Sequence, residues 1–97
     1  MKLEYHPLTA SDLNNAIQYY NRQRARLGDE LRSEVYAAIK RIRENPFQFA
    51  IVEHEVRRCF VRRFPYSVQF RLIGEAAIRI LLIRHHRRHP GFGLTRR

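Results

Sequence analysis

Ninety-seven residues with 44% hydrophobic content supply one compact core and too little for two. Cys59 is the only cysteine, which excludes an internal disulfide, and its apolar neighbours mark it as a packing residue rather than a reactive one. The net charge of +10 resides entirely in residues 56–97, where eleven arginines face the single acid Glu75; residues 1–55 hold eight basic and eight acidic side chains. Such asymmetry calls for a polyanionic or acidic partner, and a basic set of seventeen arginines and two lysines favours forked recognition of phosphate or carboxylate. The start, MKLEYHPLTASDL, lacks the apolar run of a secretion signal, and the longest hydrophobic stretch, AAIRILLI, is short and interrupted by Arg79. Neither export by that route nor a membrane span is expected, and the reading is of a cytoplasmic protein.

In chain order, Leu3 and Tyr5 alternate with Lys2 and Glu4 before Pro7, which predicts a short edge strand. Thr9 reads as a helix N-cap with Asp12 three residues on, and Leu8 and Leu13 occupy the positions of a hydrophobic staple. Leu13, Ala16, Ile17 and Tyr20 form a helical stripe that runs out near Gly28, a plausible C-terminal glycine, after which Asp29 can cap a second helix. Its stripe, Leu31, Val35, Ala38, Ile39 and Ile42, ends at Asn45 and Pro46. Beyond a loop with Phe47 and Phe49 the period changes to two. Residues 56–61, 66–73 and 77–85 predict a three-stranded antiparallel meander broken at Pro65 and Gly74. The expected fold is therefore α+β: an N-terminal strand, an antiparallel two-helix hairpin and the meander, in one domain over residues 1–97. Residues 90–97 read as a flexible basic arm. The last strand is apolar on both sides near its end, with Ile80 and Leu82 pointing one way and Leu81 and Ile83 the other, so another chain is expected to cover the second face.

Chemistry concentrates in Arg84, His85, His86, Arg87, Arg88 and His89 before Pro90, six consecutive cationic or titratable side chains. Guanidinium groups there can hold phosphate, and an imidazole can exchange a proton with a ribose hydroxyl, as metal-free RNA cleavage would require; the same run suits plain binding to an acidic surface. Arg57, Arg58, Arg62 and Arg63 would extend the patch if their strand pairs nearby, and Phe92 is a candidate docking or stacking group. His85, His86 and His89 do not read as a zinc site, because adjacent strand residues face opposite ways and no CxxC accompanies them. No cofactor is expected.

The stretches RRFPYSVQFRL, residues 62–72, and IRILLIRHHRRHPGF, residues 78–92, together with the element order, resemble the RelE/ParE toxins of type II toxin-antitoxin systems, ParE-like members above all. Arg63, Phe64, Pro65 and Tyr66 fit the first motif, and His85, Arg87, Arg88 and Pro90 the second. The resemblance implies a plasmid-stabilising toxin that inhibits DNA gyrase without being an enzyme, with Arg62, Arg63, Tyr66, Arg84, His85, Arg87, Arg88 and Phe92 facing the target. It implies a cognate antitoxin wrapped over helices and sheet, with Leu13, Ile17, Tyr20, Leu81 and Ile83 as contacts, in a heterotetramer or larger assembly. The alternative is a ribosome-dependent messenger RNA endonuclease using Arg63 and Arg84 as phosphate holders and His86 as general acid or base. All five tyrosines lie at or before Tyr66, so the tyrosine that such nucleases often use at the end of the last strand is absent, with His86 standing in its place. A third reading, a non-toxic RNA-binding module, lacks the closing helix or aromatic strand motif of such domains.

Overall fold

The computed structural model describes residues 1–97. Strand β1 (Lys2–Tyr5) leads to helices α1 (Thr9–Gln23) and α2 (Leu27–Glu44), a 3-10 turn (Pro46–Gln48), and strands β2 (Ile51–Glu53), β3 (Val56–Phe60), β4 (Tyr66–Ile73) and β5 (Ala77–His85). The sheet order is β1-β5-β4-β3-β2; β1 lies parallel to β5 and every other pairing is antiparallel. The α+β class, the helix hairpin and the meander are as the sequence predicts. Strand β2 is additional: all three of its residues are exposed, so it carries no inward-facing pattern to betray it.

The core lies between one sheet face and the hairpin. Leu31, Val35, Ala38 and Ile42 of α2 meet Cys59, Val68, Phe70, Ile78 and Ile80, all essentially inaccessible to solvent. Burial pushes the Cys59 thiol's pKa up and keeps it protonated. Strand β5 departs from strict alternation because of a bulge: Gln69 pairs with Leu82 but Phe70 with Ile80, leaving Leu81 as the extra residue. The bulge resets the phase, so that Ile80 and Ile83 both join the core cluster.

Several local expectations are corrected. Thr9 does not cap α1; Leu8 holds the N-cap position without a side-chain bond and is exposed rather than stapled against Leu13. The Thr9 hydroxyl instead reaches the carbonyls of Ile80 (3.3 Å) and Leu81 (3.0 Å), and Asp12 accepts the Ile83 amide (3.1 Å). Both side chains serve the β5 edge that β1 is too short to cover. Gly28 does not end α1; it lies in the first turn of α2, where a Cβ would stand 2.2 Å from the Ile17 carbonyl oxygen. Its lack of a side chain is needed for the helices to approach, and its amide donates to Asn21 Oδ1 (2.7 Å). Arg26, at φ 68°, precedes α2 in place of the expected Asp29 cap.

The tail is not a detached arm. Arg96 returns to α1 and forms two hydrogen bonds to Asp12 (2.6 and 3.2 Å) and one to the Leu81 carbonyl (3.0 Å). The pair is sequestered, with side-chain exposures of 9% and 8%. Gly93 packs against Leu82, where a Cβ would come within 3.0 Å of its methyl carbon. The chain's own tail thus covers the apolar surface of β5 assigned to a partner; Leu81 and Ile83 are only 1% and 3% exposed. The physical reason is that Arg96 supplies what the Leu81 carbonyl and Asp12 require. No helix is long and apolar enough to cross a membrane.

Candidate functional site

Antiparallel pairing brings the end of β3, the start of β4 and the end of β5 to one edge: Phe60 pairs with Ser67 and Ser67 with Arg84. Arg62, Arg63, Tyr66 and the run from Arg84 to Arg88 therefore share one end of the sheet. The opposite end carries the turns with Glu55 and Glu75. Glu55 there pairs with Arg71 (3.7 Å) and Glu4 with Arg79 (2.9 Å), so the unpaired positive charge is concentrated at the first end.

The basic residues at this end are not equivalent. Arg63, in a left-handed conformation at φ 70°, turns toward α2 and bonds Glu30 (2.7 Å), with Glu34 at 3.7 Å. That hydrogen bond holds the Glu30 carboxyl below its ordinary pKa and raises that of Arg63. Arg62, Arg87 and Arg88 have no carboxylate within ion-pair distance, and Arg84 donates only to the Arg88 carbonyl (2.7 Å). Arg88 lies over the Phe92 ring at 4.4 Å and Arg96 at 5.0 Å, so the tail aromatic is flanked by two guanidinium groups.

His85 meets Tyr66 edge to face (5.0 Å, 86°), and its Nδ1 accepts the Arg87 amide (2.9 Å). Burial, then the charges of His86, Arg87 and Arg84, lower its pKa. Tyr66 is pushed up to about 12, chiefly by burial, and stays protonated at neutral pH. His86 leans against Phe60 (5.5 Å, 85°), whose exposed ring also carries Arg58 at 4.6 Å. Arg63, Arg84 and His86 do not converge: Arg63 faces α2, whereas Arg84 and His86 lie toward the face remote from the helices. No group of His, Cys, Asp or Glu side chains is arranged to hold a metal.

A second feature lies on the flank of β1. Leu3, Tyr5, Leu13, Tyr36 and Ile39 line an apolar groove of about 740 Å3, with Lys40 and Arg43 beside it. Lys2 and His6 donate their amides to Ala76 and Ile80 (both 2.8 Å), so by strand alternation Leu3 and Tyr5 turn theirs to the unpaired edge. Of the predicted partner contacts, Leu13 and Ile83 line this groove, and Ile17, Tyr20 and Leu81 do not. Tyr20 packs on Phe64 (5.3 Å) and Tyr66 (6.1 Å) instead.

A family model, the ParE toxin of the type II toxin-antitoxin system parDE, matches residues 3–90. The chain belongs to the ParE toxin family. Among solved structures, it is similar to a chain of the chromosomal ParDE TA system from P. aeruginosa, with 24% identity, a TM-score of 0.77, and coverage of 88% of this chain and 95% of that one. No curated protein matches the sequence. Membership makes this a toxin-family component whose system implies an antitoxin partner.

Sequence reasoning about this ParE-family chain missed three features of its site. The Asp12–Arg96 pair joins residues 84 positions apart and leaves no local signal. Tyr19 lies off the core stripe and is half-exposed beside the basic end, as its helical phase alone would have shown. The Arg58–Phe60–His86 stack follows from period-two alternation in β3 once its register with β4 is known.

Proposed function

We propose that this ParE-family toxin inhibits DNA gyrase stoichiometrically in the cytoplasm, and that a cognate antitoxin neutralises it by filling the groove beside β1. The observation that carries the first half is the set of guanidinium groups without carboxylate partners, Arg62, Arg87 and Arg88, at one end of the sheet. They present an anion-binding surface without a poised acid-base pair. Arg63 is held by Glu30 and Glu34, and the Tyr66 hydroxyl is far from ionising. Binding, rather than cleavage, is what such an end supports. The groove supports the second half: it is apolar, it adjoins an unpaired strand edge, and Lys40 and Arg43 suit acidic side chains on an otherwise apolar segment. Two such toxin-antitoxin units joined through their antitoxins would give a heterotetramer.

The test is a supercoiling assay with purified chain. Inhibition at near-equimolar toxin, with ribosome-bound message left intact, is the expected result. Codon-biased cuts in that message with gyrase unaffected would replace this reading with the endonuclease one.

A further inference from the structure

Between the first turns of α1, the end of β5 and the returning tail lies a cleft of about 410 Å3, within the usual range for small-ligand sites. It is distinct from the apolar groove, although Ile83 touches both. Strand β1 pairs only with Ala77–Ile80, so this part of β5 has no neighbouring strand on that side.

Three aromatic rings line the cleft: Tyr19 from α1, Tyr66 from β4 and Phe92 from the tail. Tyr19 is half-exposed and meets Tyr20 edge to face (5.1 Å, 88°), so whichever ring supplies the edge, Tyr20 leaves at least one face of Tyr19 uncovered. Among these rings stand donors for an anion. Arg88 has no carboxylate partner, and its place over Phe92 holds the guanidinium at the cleft. His85 accepts a backbone amide at Nδ1, so the neutral ring carries its proton on Nε2. Asn15 and Ser11 add an amide and a hydroxyl. The one acid present, Asp12, is already neutralised by Arg96 and does not repel a negative ligand.

We propose that this cleft binds a nucleotide, with its base stacked on Tyr19 and its phosphate held by Arg88 and His85 Nε2. A simple anion has no use for three aromatic walls, and an apolar ligand would leave Arg88 and His85 desolvated without partners. A second cleft of about 430 Å3 shares Tyr19, Tyr66 and His85 and continues toward Tyr20 and Gln23. That continuity leaves room for the next unit of a single strand, so the same chemistry can come from a free nucleotide or from a strand end. Tyr66, His85, Arg88 and Phe92 also belong to the target-facing end, yet nucleotide binding needs nothing from gyrase.

Titrating the full-length, isotope-labelled chain with adenosine 5′-monophosphate, followed by NMR, tests this. Saturable shifts centred on Asn15, Tyr19, His85 and Arg88 are expected, with ribose 5-phosphate and adenosine each binding at least about tenfold more weakly. Tyr19→Ala and Arg88→Ala, both at exposed positions, should each weaken binding by about tenfold or more, while Arg32→Ala on α2 leaves it unchanged. Tighter binding of a 5′-phosphorylated trinucleotide than of the mononucleotide would assign the cleft to a strand end, and equal affinity would assign it to a free nucleotide. Ribose 5-phosphate binding as tightly as the mononucleotide, shifts located elsewhere, or no saturation by about 10 mM would overturn the proposal. A supercoiling assay on the unmodified chain separates the two readings: full gyrase inhibition by a chain that binds no nucleotide refutes only this one, and saturable nucleotide binding by a chain that leaves gyrase unaffected refutes only the other.

Discussion

The two halves of β5 are finished by different means. From Ala77 to Ile80 its outer edge is covered by the backbone of β1, and from Leu81 to Ile83 by side chains: Thr9 and Arg96 donate to the Leu81 carbonyl, and Asp12 accepts from the Ile83 amide. Backbone pairing depends little on which residues make it, so the first half can carry an apolar groove lined by many side chains. The second half depends on a few polar groups, and meeting that need draws the cationic tail back to the body. Arg96 thereby both closes this edge and flanks Phe92 opposite Arg88, which ties the tail's packing to the basic end.

The largest expected effect breaks that tie. Asp12→Ala would leave the sequestered Arg96 charge and the Ile83 amide without their acceptor, a loss of about 3–5 kcal/mol. Asp29→Ala removes an exposed pair with Arg32 (3.6 Å) and should cost under about 1 kcal/mol. Urea denaturation of both variants checks the contrast, and equal midpoints would show that the tail latch contributes no more than a surface pair. Next in size, Gly28→Ala must push a methyl group into the Ile17 carbonyl and should destabilise the hairpin by about 1–3 kcal/mol, measured in the same way.

The smallest effect concerns protonation of His85. Burial and cationic neighbours lower its pKa from the ordinary 6.5, so below that value the unfolded chain binds the extra proton first. This contribution to stability is intact above the ordinary value and declines as pH falls toward the lowered one. A histidine NMR titration should place the His85 midpoint below 6.5, and His85→Gln should flatten the pH dependence of the melting temperature in that window. A midpoint at or above 6.5 would mean that the ring is more open to water, or less crowded by charge, than the structure has it.

Much of the fold is legible in the sequence because it rests on periodicity. The stripe from Leu31 to Ile42 and the alternation from Tyr66 to Leu72 each specify one buried face, and Asn45, Pro65 and Gly74 mark the breaks. What escapes rests on contacts between distant residues. Thr9 and Asp12 resemble a cap from their spacing, but the unpaired edge of β5 competes for their oxygen atoms and prevails. Gly28 has the look of a helix end because close helix approach and chain termination favour the same residue. The cationic cluster is legible as a cluster, yet which arginines stay available is decided by Glu30 and Glu34 on α2, more than twenty residues earlier in the chain. The bulge at Leu81 is the subtlest case: it turns what reads as two apolar faces into one core face and a tail-covered remainder.

The most direct measurement sets the two surfaces against each other in one supercoiling assay, with and without the cognate antitoxin. Loss of gyrase inhibition by the Arg87→Ala, Arg88→Ala double variant, together with full inhibition by Leu13→Asp that antitoxin no longer relieves, is the predicted outcome. Undiminished inhibition by the double variant, or normal antitoxin rescue of Leu13→Asp, would contradict the division of this molecule into a basic target-facing end and an apolar partner groove.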